Sequence, residues 1–494
     1  METTRKQNLT AAVLACGLAF TSTSLLAQQP TPPQSTAPES VQNHLQAIQR
    51  PVFGAIKGAS TAGRHILRKS FEGVDFLGSN CSCLPPDTNA AVGNNFVVET
   101  VNTQIRIFNK TMGNILLDEP LATFFGGHSG GDPYVVYDDI ADRWYVSAFD
   151  TDDDDLFLAV SLDGNPLHGF LPTYILTDVG GFPDYQKPGF NRDAIFISFN
   201  DFGSGGTTAA TIAAIDKAAA LSGTLTYFVS HPKFQFRAMP PAQMHGDENR
   251  GEDREQGRRG VEWFVSTDGT DAGGTTIRVT KMTDYLSDSP NFTYTSLPVT
   301  GYKRASRADQ PGGSVTTFPN TTTTQVHFHK GHLVTAMASS TATDGFVYPK
   351  GLLYQIDVSG NTPILLNERL VDPGAGAAVQ MPSVDEDSDG NLGLTWIESS
   401  NNEYLSMRVG TINSSGKLVA VLAAAGGGFF SANSRIGDYS TTVLDQSDDR
   451  SDDRKDVFWS ANEYIGDDGR TDIWRTHITS FTAGRKLISR NGAQ

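Results

Sequence analysis

A polar turn followed by short alternating strands recurs along most of this chain, and this repetition restricts the fold more than any other feature. The turn carries an acidic residue next to proline, glycine or tyrosine. The segments after it alternate apolar and polar residues, which is typical of strands that hide one face. The unit is clearest in three segments near the C-terminus, namely Arg435–Asp445, Asp456–Tyr464 and Ile473–Phe481.

About seven such units, each of roughly 45–65 residues, lie between residues 86 and 481, which is close to the length of a propeller blade. The small sheet of one unit has two partly apolar faces and needs a neighbour on each. Closing the units into a ring supplies these neighbours and leaves only short edges. We therefore predict an all-β chain that forms a single β-propeller with seven blades. A β-helix and a two-domain sandwich are the alternatives, but the units are long for a β-helix and no linker interrupts them.

An early strand, Phe71–Phe76, precedes the first unit. We predict that it completes the sheet of the last blade by pairing near Trp474–Phe481. Such pairing would join the two ends of the domain without a disulfide. Five tryptophans lie inside strand patterns, and we expect them to pack between blades. They are Trp144, Trp263, Trp396, Trp459 and Trp474.

The N-terminus has the pattern of a secretion signal. Arg5 and Lys6 precede a mostly apolar stretch from residue 9 to 26, and Ala27 offers a cleavage site. The predicted organisation is a signal peptide over residues 1–27, a disordered spacer over 28–69 and a propeller over 70–485. We expect a secreted or periplasmic protein. A lipoprotein signal at Cys16 and an uncleaved anchor are the alternatives.

The net charge of -17 argues against nucleic acid as a partner, because phosphate binding needs clustered Lys and Arg. It suits a soluble exported protein or one that holds cations. We expect a monomer whose partner is an extracellular glycan or protein. Cys81 and Cys83 are separated by one residue, and the sequence leaves open whether they are free thiols or a local disulfide.

The repeated entry turns supply the first candidate site. If the innermost strand of each blade begins near the axis, their carboxylates converge on the channel as a cation site or an acidic pocket. Alternatively, each aspartate caps its own turn through hydrogen bonds to the backbone. The residues are Asp87, Asp132, Asp184 and Asp438.

A second candidate is a calcium loop formed by Asp385, Asp387, Asp389 and Asn391. The D-x-D-x-D-G spacing places three carboxylates around a tight turn, as a hard cation requires. It resembles half of an EF-hand loop and the calcium hairpins of integrin-type propellers, although the closing ligand of each pattern is absent. Calcium is the only cofactor that we predict. A metal bound by His327, His329 and His332 is a further possibility, against an interpretation as polar hairpin positions.

The same stretch keeps the spacing of the Asp box of sialidase-like propellers, from Asp389 to Trp396. As a whole, the chain resembles secreted bacterial β-propeller proteins of uncertain activity. A sialidase also needs an arginine cluster and a Tyr/Glu nucleophile pair. The residues that this resemblance nominates are Arg143, Arg435, Arg475, Tyr439 and Glu463.

Two functions follow from these patterns. The first is a recognition scaffold that binds a glycan or protein on its loop face or in its channel, since rigid rings commonly carry recognition loops. The second is a glycan-active hydrolase or lyase that uses channel carboxylates. The catalytic candidates in that case are Asp87, Asp132, Asp184, Asp438 and Glu463.

Overall fold

The computed structural model describes residues 67–483 apart from eight internal gaps. The gaps are residues 204–207, 233–237, 247–259, 268–272, 318–320, 432–434, 447–455 and 468–472. The predicted signal peptide, most of the predicted spacer, and most of the mixed-charge insertion at 245–259 lie outside the described residues. The first strand begins at Leu67, so residues 67–69 of the predicted spacer belong to the propeller.

Thirty strands build the described part of the chain, and most of them form antiparallel four-stranded sheets. Blade 1 contains β2 (Asn89–Val92), β3 (Phe96–Val101), β4 (Gln104–Asn109) and β5 (Ile115–Pro120). Blade 2 contains β6 (Gly130–Asp138), β7 (Arg143–Asp150), β8 (Leu156–Val160) and β9 (Tyr174–Leu176). Blade 3 contains β10 (Phe182–Phe190), β11 (Ala194–Phe202), β12 (Thr208–Asp216) and β13 (Tyr227–Ser230). In each blade the strands pair in chain order.

Blade 4 contains β14 (Ala242–Met244), β15 (Val261–Thr267), β16 (Gly274–Thr283) and β17 (Asn291–Lys303). Blade 5 contains β20 (Val326–His329), β21 (His332–Thr341), β22 (Lys350–Asp357) and β23 (Ile364–Val371). Blade 6 contains β24 (Ala378–Glu386), β25 (Leu392–Ser400), β26 (Glu403–Ile412) and β27 (Leu418–Ala424). Blades 5 and 6 repeat this arrangement, whereas in blade 4 the short inner strand β14 pairs in parallel with β10 and β20 and, in the described ranges, meets the segment of β15 only at the bridge between Pro241 and Phe264. A small hairpin of β18 (Ala308–Gln310) and β19 (Gly313–Val315) lies between blades 4 and 5 in the chain.

The seventh blade is completed by the first strand of the domain. Its strands are β28 (Thr441–Leu444), β29 (Val457–Ile465), β30 (Trp474–Thr482) and β1 (Leu67–Asp75), which pairs antiparallel with β30. Phe71 stands opposite Ile478, and its ring lies 5.2 Å from that of Phe108 in blade 1. The prediction of a seven-bladed propeller closed by an N-terminal strand is confirmed.

The innermost strands run in the same direction around the axis. β10 and β20 each pair in parallel with β14. Elsewhere a side chain of one inner strand accepts from the backbone of the next, as when Val135 N donates to Asn89 Oδ1 at 2.7 Å. Thr442 N donates to Ser383 Oγ at 2.7 Å in the same manner. All inner strands therefore start at one end of the channel, which we call the entry end, and finish at the other, the exit end.

The apolar core is distributed between the blades. Trp144 of blade 2 packs in a cluster with Ile105 and Ile107 of blade 1, and Trp396 of blade 6 packs with Leu353 of blade 5. All five tryptophans are at most 4 % exposed. Burying such large rings between sheets contributes much of the attraction between neighbouring blades. The predicted position of the tryptophans between blades agrees with these contacts.

Few other elements occur among the described residues. Two short α-helices, α1 (Leu121–Phe124) and α2 (Lys217–Leu221), and two single 3₁₀ turns connect strands. No helix in the described ranges is long and apolar enough to cross a membrane. Cys81 and Cys83 form a disulfide with their Cα atoms 5.1 Å apart, which resolves the alternative that the sequence left open.

Candidate functional site: an aspartate cluster at the entry end

Four aspartates from four blades meet at the entry end, and we call them the aspartate cluster. They are Asp87, Asp132, Asp184 and Asp438. Asp87 and Asp438 immediately precede the innermost strands of blades 1 and 7, whereas Asp132 and Asp184 lie in the first turns of β6 and β10. The charge of Asp132 acts on each of the other three carboxyls, so the four groups share one electrostatic environment.

The backbone at the start of these strands adopts positive φ angles, and this conformation sets the direction of the aspartate side chains. Asp87 and Asp132 have φ angles of 55° and 47°, and Tyr185, directly after Asp184, has a φ of 58°. Residues other than glycine rarely adopt this left-handed region, although Asp tolerates it. The ladder also shifts register between Asp184 and Lys187, as a β-bulge does. In blades 2 and 3 the polar turns of the sequence pattern are thus the bulged starts of inner strands.

Two of the four aspartates, Asp87 and Asp132, bond to distant segments of the chain, whereas Asp184 and Asp438 bond within their own turns. Asn102 Nδ2 donates to Asp87 Oδ2 at 2.6 Å, and Tyr439 OH donates to Asp132 Oδ2 at 2.9 Å. Arg435 Nη1 lies 3.0 Å from Asp438 Oδ2. Only for Asp184 does the adjacent backbone, at Tyr185, stabilise the carboxylate. The four carboxyls interact with one another electrostatically, as convergence predicts, and two of them also bond within their own turns, as the alternative predicts.

Two carboxylate oxygens of the cluster stay unused by the described protein. Asp87 Oδ1 and Asp438 Oδ1 are buried and have no hydrogen-bond partner among the residues described. Leaving such an acceptor unsatisfied costs about 1–3 kcal/mol. Asp132, Asp184 and Arg435 are partly exposed at the surface of the cluster, whereas the two unpaired oxygens are buried beneath it.

A buried lysine and three tyrosines form the floor of the site. The rings of Tyr185 and Tyr439 stack with centroids 5.2 Å apart, and Tyr134 meets Tyr439 edge-on at 5.6 Å. Lys187 Nζ lies 3.6 Å from the centroid of Tyr185 and 4.0 Å from that of Tyr439. Cations bind favourably over aromatic faces, especially when desolvated. The ammonium is thereby held beneath the carboxylates.

Burial and charge move the pKa values of this site towards neutrality. Burial raises the pKa of Asp184 to about 7, and the charge of Asp132 adds to the rise. Burial likewise raises the pKa of Asp438 to about 7, although Arg435 opposes it. Burial lowers the pKa of Lys187 to about 7 against the pull of the aspartates. The site therefore holds protons that exchange at neutral pH.

Glu463, the other catalytic candidate, lies behind the aspartate cluster. It is 0 % exposed, and its Oε1 accepts from Thr88 N at 3.1 Å. Burial raises the pKa of its carboxyl well above the ordinary value. In this position Glu463 supports the turns that carry Asp87 and Asp438, and it has no surface for a substrate.

The arginines nominated by the sialidase resemblance do not converge. Arg435 belongs to the entry end, whereas Arg143 donates to the carbonyl of Asp142 at 2.9 Å at the start of β7. Arg475 acts on Glu72 at the paired edge of β30 and β1. Of the nominated group, the structure brings together Arg435 and Tyr439, and it leaves Arg143 and Arg475 elsewhere.

The four residues of the predicted calcium loop divide between two environments. Asp387 closes its own hairpin, because its Oδ1 accepts from Asp389 N and Asn391 N and its Oδ2 from Asn391 Nδ2, at 2.8–3.0 Å. Asp385 is 0 % exposed and lies 2.7 Å from His329 Nε2. Calcium binding stays a prediction, and its first ligand is already engaged by a histidine.

The predicted trio of His327, His329 and His332 also divides. Donor atoms of His327, His329 and Asp385 lie within 4.8 Å of one another at the exit end. His332 instead faces Glu386, with Nδ1 3.3 Å from Oε1. The alternation of strand β20 had placed His327 and His329 on one face, and the structure adds a carboxylate from blade 6.

Sequence reasoning missed three residues of these sites. Lys187 reads in the sequence as an ordinary strand position, and His245 reads as the start of a charged insertion. Tyr185 had a detectable signal, because the dipeptide Asp-Tyr occurs in two entry turns, at 184–185 and 438–439. That repetition indicates that the tyrosine, and not only the aspartate, belongs to the site.

Comparisons with known proteins give only distant similarities. No protein-family model and no curated protein matches the chain. Among solved structures, a protein of unknown function from Dyadobacter fermentans DSM 18053 has a TM-score of 0.40 and 10 % identity, and the match covers 84 % of this chain and 98 % of that one. A subtype N10 neuraminidase-like protein of A/little yellow-shouldered bat/Guatemala has a TM-score of 0.36 and 8 % identity, with 72 % and 97 % covered.

The WD40 domain of SCAP from fission yeast has a TM-score of 0.33 and 11 % identity, with 78 % of this chain and 82 % of that one covered. Similarities at this level support no statement about ligand or activity. The seven blades described above define the architecture, and the chemistry of the aspartate cluster has to be argued from its own residues.

Proposed function

We propose that the protein is an exported β-propeller that binds a glycan at the entry end of its channel. The supporting observation is the aspartate cluster, with two buried carboxylate oxygens, Asp87 Oδ1 and Asp438 Oδ1, that have no partner in the described chain. A sugar hydroxyl that donates to such an oxygen removes the cost of leaving it unsatisfied. The export is itself a proposal, because the predicted signal peptide lies outside the described residues.

The mixed protonation of the cluster suits a neutral polyol. A hydroxyl group both donates and accepts hydrogen bonds. With pKa values of about 7, Asp184 and Asp438 offer donors and acceptors in comparable proportion at neutral pH. Arg435 adds fixed donors beside them. The proposal concerns the channel and not the loop face. The two charged stretches that the sequence places between strands, residues 245–259 and 445–455, lie mostly outside the described residues.

A glycan array probed with residues 28–494 tests this proposal. We expect binding by the wild-type chain and a loss of at least about tenfold in Asp438→Asn, because one or two hydrogen bonds are worth about 1.4 kcal/mol or more. Asp153→Asn is the matched control, since Asp153 is exposed at the tip of the β7–β8 hairpin. Absence of any bound glycan, or equal binding by Asp438→Asn, would contradict the proposal.

A hydrolase or lyase is the second proposed function, and the raised carboxyl pKa values favour it. A general acid must be protonated at the working pH, and Asp184 and Asp438 come from different blades with pKa values of about 7. Hydrolysis of a glycosidic bond needs two carboxyl groups that flank the bond, one as the general acid and the other as the base or nucleophile.

Product analysis of any glycan that binds separates the two functions. Release of new reducing ends by the wild-type chain, lost in both Asp184→Asn and Asp438→Asn, would establish the enzyme. Recovery of the bound glycan intact after long incubation would leave the binding scaffold. The same Asp153→Asn variant serves as the control for general damage to the fold.

A further inference from the structure

The exit end of the channel carries a second group of side chains, which we call the histidine cluster. It consists of His245, His327, His329 and Asp385. Each member lies at or just after the end of an innermost strand: β14 for His245, β20 for His327 and His329, and β24 for Asp385. These strands belong to blades 4, 5 and 6. The parallel register opposes Met244 to Phe328, so the next residues, His245 and His329, are neighbours.

Three members of this group, His327, His329 and Asp385, converge as ligands do, and the ring of His245 stacks beside those of the two histidines. The three imidazole rings are within 10–14° of parallel, with centroids 5.7–6.5 Å apart. Donor atoms of His327, His329 and Asp385 are all within 4.8 Å of one another. A tetrahedral ion with bonds of about 2.0–2.2 Å holds its donors about 3.3–3.5 Å apart. Side-chain rotations that move the donor atoms about 1–1.5 Å closer together are enough to reach the spacing of a tetrahedral ion.

Several nitrogens of the histidine cluster have no role within the described protein. His327 is 0 % exposed, and neither of its ring nitrogens makes a hydrogen bond of good geometry among the described residues, although the backbone of Thr442 interacts with the ring. Asp385 Oδ2 lies 3.6 Å from its Nδ1, beyond hydrogen-bonding distance. His245 Nε2 is also buried without a partner in the described ranges. Each such group costs about 1–3 kcal/mol, so an ordinary packing role leaves this arrangement unexplained.

Neighbouring groups hold two of the ligands in place. His245 Nδ1 lies 3.0 Å from Asp139 Oδ1, at the end of β6 in blade 2. When the Nδ1–H of a histidine donates to a carboxylate, the lone pair of Nε2 is left for a metal. Asp385 in turn accepts from the backbone amides of Glu386 and Leu444 at 2.7 and 2.6 Å. Such outer contacts are characteristic of metal ligands.

We propose that His245, His327, His329 and Asp385 bind one divalent transition metal ion, with zinc as the expected metal. Three imidazole nitrogens and one carboxylate oxygen match the donors and the number that tetrahedral zinc prefers, whereas calcium and magnesium prefer oxygen alone. All four side chains are buried. A site closed by four protein ligands is structural, and here it ties blades 4, 5 and 6 together and, through Asp139, blade 2.

Zinc titration of the mature chain after dialysis against a chelator tests the site. Calorimetry is expected to give one zinc ion per chain, and cobalt substitution is expected to give the visible absorption of a tetrahedral ion. Calcium added instead should produce neither result at this site. Absence of zinc binding by the folded wild-type chain would overturn the proposal.

Variants assign the binding to these residues. His327→Gln and His329→Gln should each reduce zinc affinity by at least about 100-fold, and Asp139→Asn by about 10–100-fold. His332→Gln is the matched control, because this histidine faces Glu386 and should leave the affinity unchanged. Near-ultraviolet circular dichroism of each metal-free variant checks that it folds. If His327→Gln does not fold, His329→Gln and Asp139→Asn carry the test, and zinc binding unaltered by both would overturn the assignment.

Discussion

The two ends of the channel are built from different inner strands of one ring, those of blades 1, 2, 3 and 7 at the entry end and those of blades 4, 5 and 6 at the exit end, and they differ in charge, exposure and completeness. At the entry end, four aspartates surround a lysine and an arginine, and three of the polar groups are partly exposed. At the exit end, three histidines and one aspartate are buried, and carboxylates orient the rings. The aspartate cluster is partly exposed and holds several like charges close together. The histidine cluster is buried, and hydrogen bonds to carboxylates already fix the orientation of its rings. The difference teaches that one ring of inner strands can carry a partly exposed charged cluster at one end and a fully buried cluster at the other.

Removing the central cation of the entry end should have the largest effect. We expect Lys187→Met to lose about 3–5 kcal/mol of unfolding free energy at pH 7, because the buried aspartates then lose the ammonium beside them and keep only Arg435 as a cation within the described cluster. Denaturation by urea measures this loss. Lys281→Met is the control: its ammonium lies 5.8 Å above Trp263, and its loss should cost only about 0.5–1 kcal/mol. Equal stability of Lys187→Met and the wild type would show that the two ends do not differ in this way.

Zinc and glycan should be separable by mutation. Free zinc at 1,000 times its dissociation constant stabilises the wild type by about 4 kcal/mol, and His329→Gln should lose that stabilisation while still binding glycan. Asp438→Asn should lose glycan binding and keep the zinc effect. Urea denaturation with and without zinc, combined with the glycan assay, measures both. Loss of both properties in either variant would mean that the two clusters form one site.

The stability of the wild type should depend on pH through the entry end. Asp184 and Asp438 have ordinary pKa values of 3.8 and folded values of about 7, so between pH 4 and 7 the folded state binds more protons. The unfolding free energy from these groups therefore falls as the pH rises through this interval. Lys187, with a pKa lowered from 10.5 to about 7, makes the unfolded state bind more protons above pH 7, and its contribution then rises again.

This dependence is measurable as urea midpoints between pH 4 and 10. The double variant Asp184→Asn, Asp438→Asn should flatten the fall on the acid side and keep much of the rise on the alkaline side. A double variant with the wild-type profile would remove the entry-end carboxyls as its cause.

The smallest effect is expected at the predicted calcium hairpin. Asp387 already accepts three hydrogen bonds from Asp389 and Asn391, so calcium would have to displace them. We expect millimolar calcium to raise the melting temperature by at most a few degrees, and Asp389→Asn to abolish that rise. A calcium effect as large as that of zinc would place the main metal site at the hairpin instead of the exit end.

The sequence predicted the architecture because its information is local and repeated. Alternation identifies strands, spacing identifies blades, and the early strand at residue 71 had an obvious partner in the last blade. The repeat also identified Asp87, Asp132, Asp184 and Asp438, but repetition alone did not decide between convergence on the channel and capping of each turn. Lys187 could not be found by this route, because its burial depends on Tyr185 and Tyr439, which come from opposite parts of the chain.

The histidine cluster was largely beyond sequence reasoning for a related reason. His245, His327 and Asp385 occupy three different blades, and their alignment depends on the register of the inner strands. Asp385 also belonged to a stronger local pattern, the Asp-rich turn, which assigned it to calcium. The local pattern of the Asp-rich turn therefore determined the prediction for Asp385, because its contact with the histidines arises only when the blades close into a ring.

The pairing of β1 with β30 has a consequence for how the protein is made. The strand that starts the domain finds its partner only after residue 482 has been synthesised, so six blades can assemble while the seventh still lacks its outer strand. Until that moment the ring is open, and the inner strands of blades 1 and 7 are not yet joined around the axis. The aspartate cluster draws on both of these blades, through Asp87 and Asp438. Assembly of the aspartate cluster therefore depends on closure of the ring, and a chain that ends before β30 lacks the strand that pairs with β1.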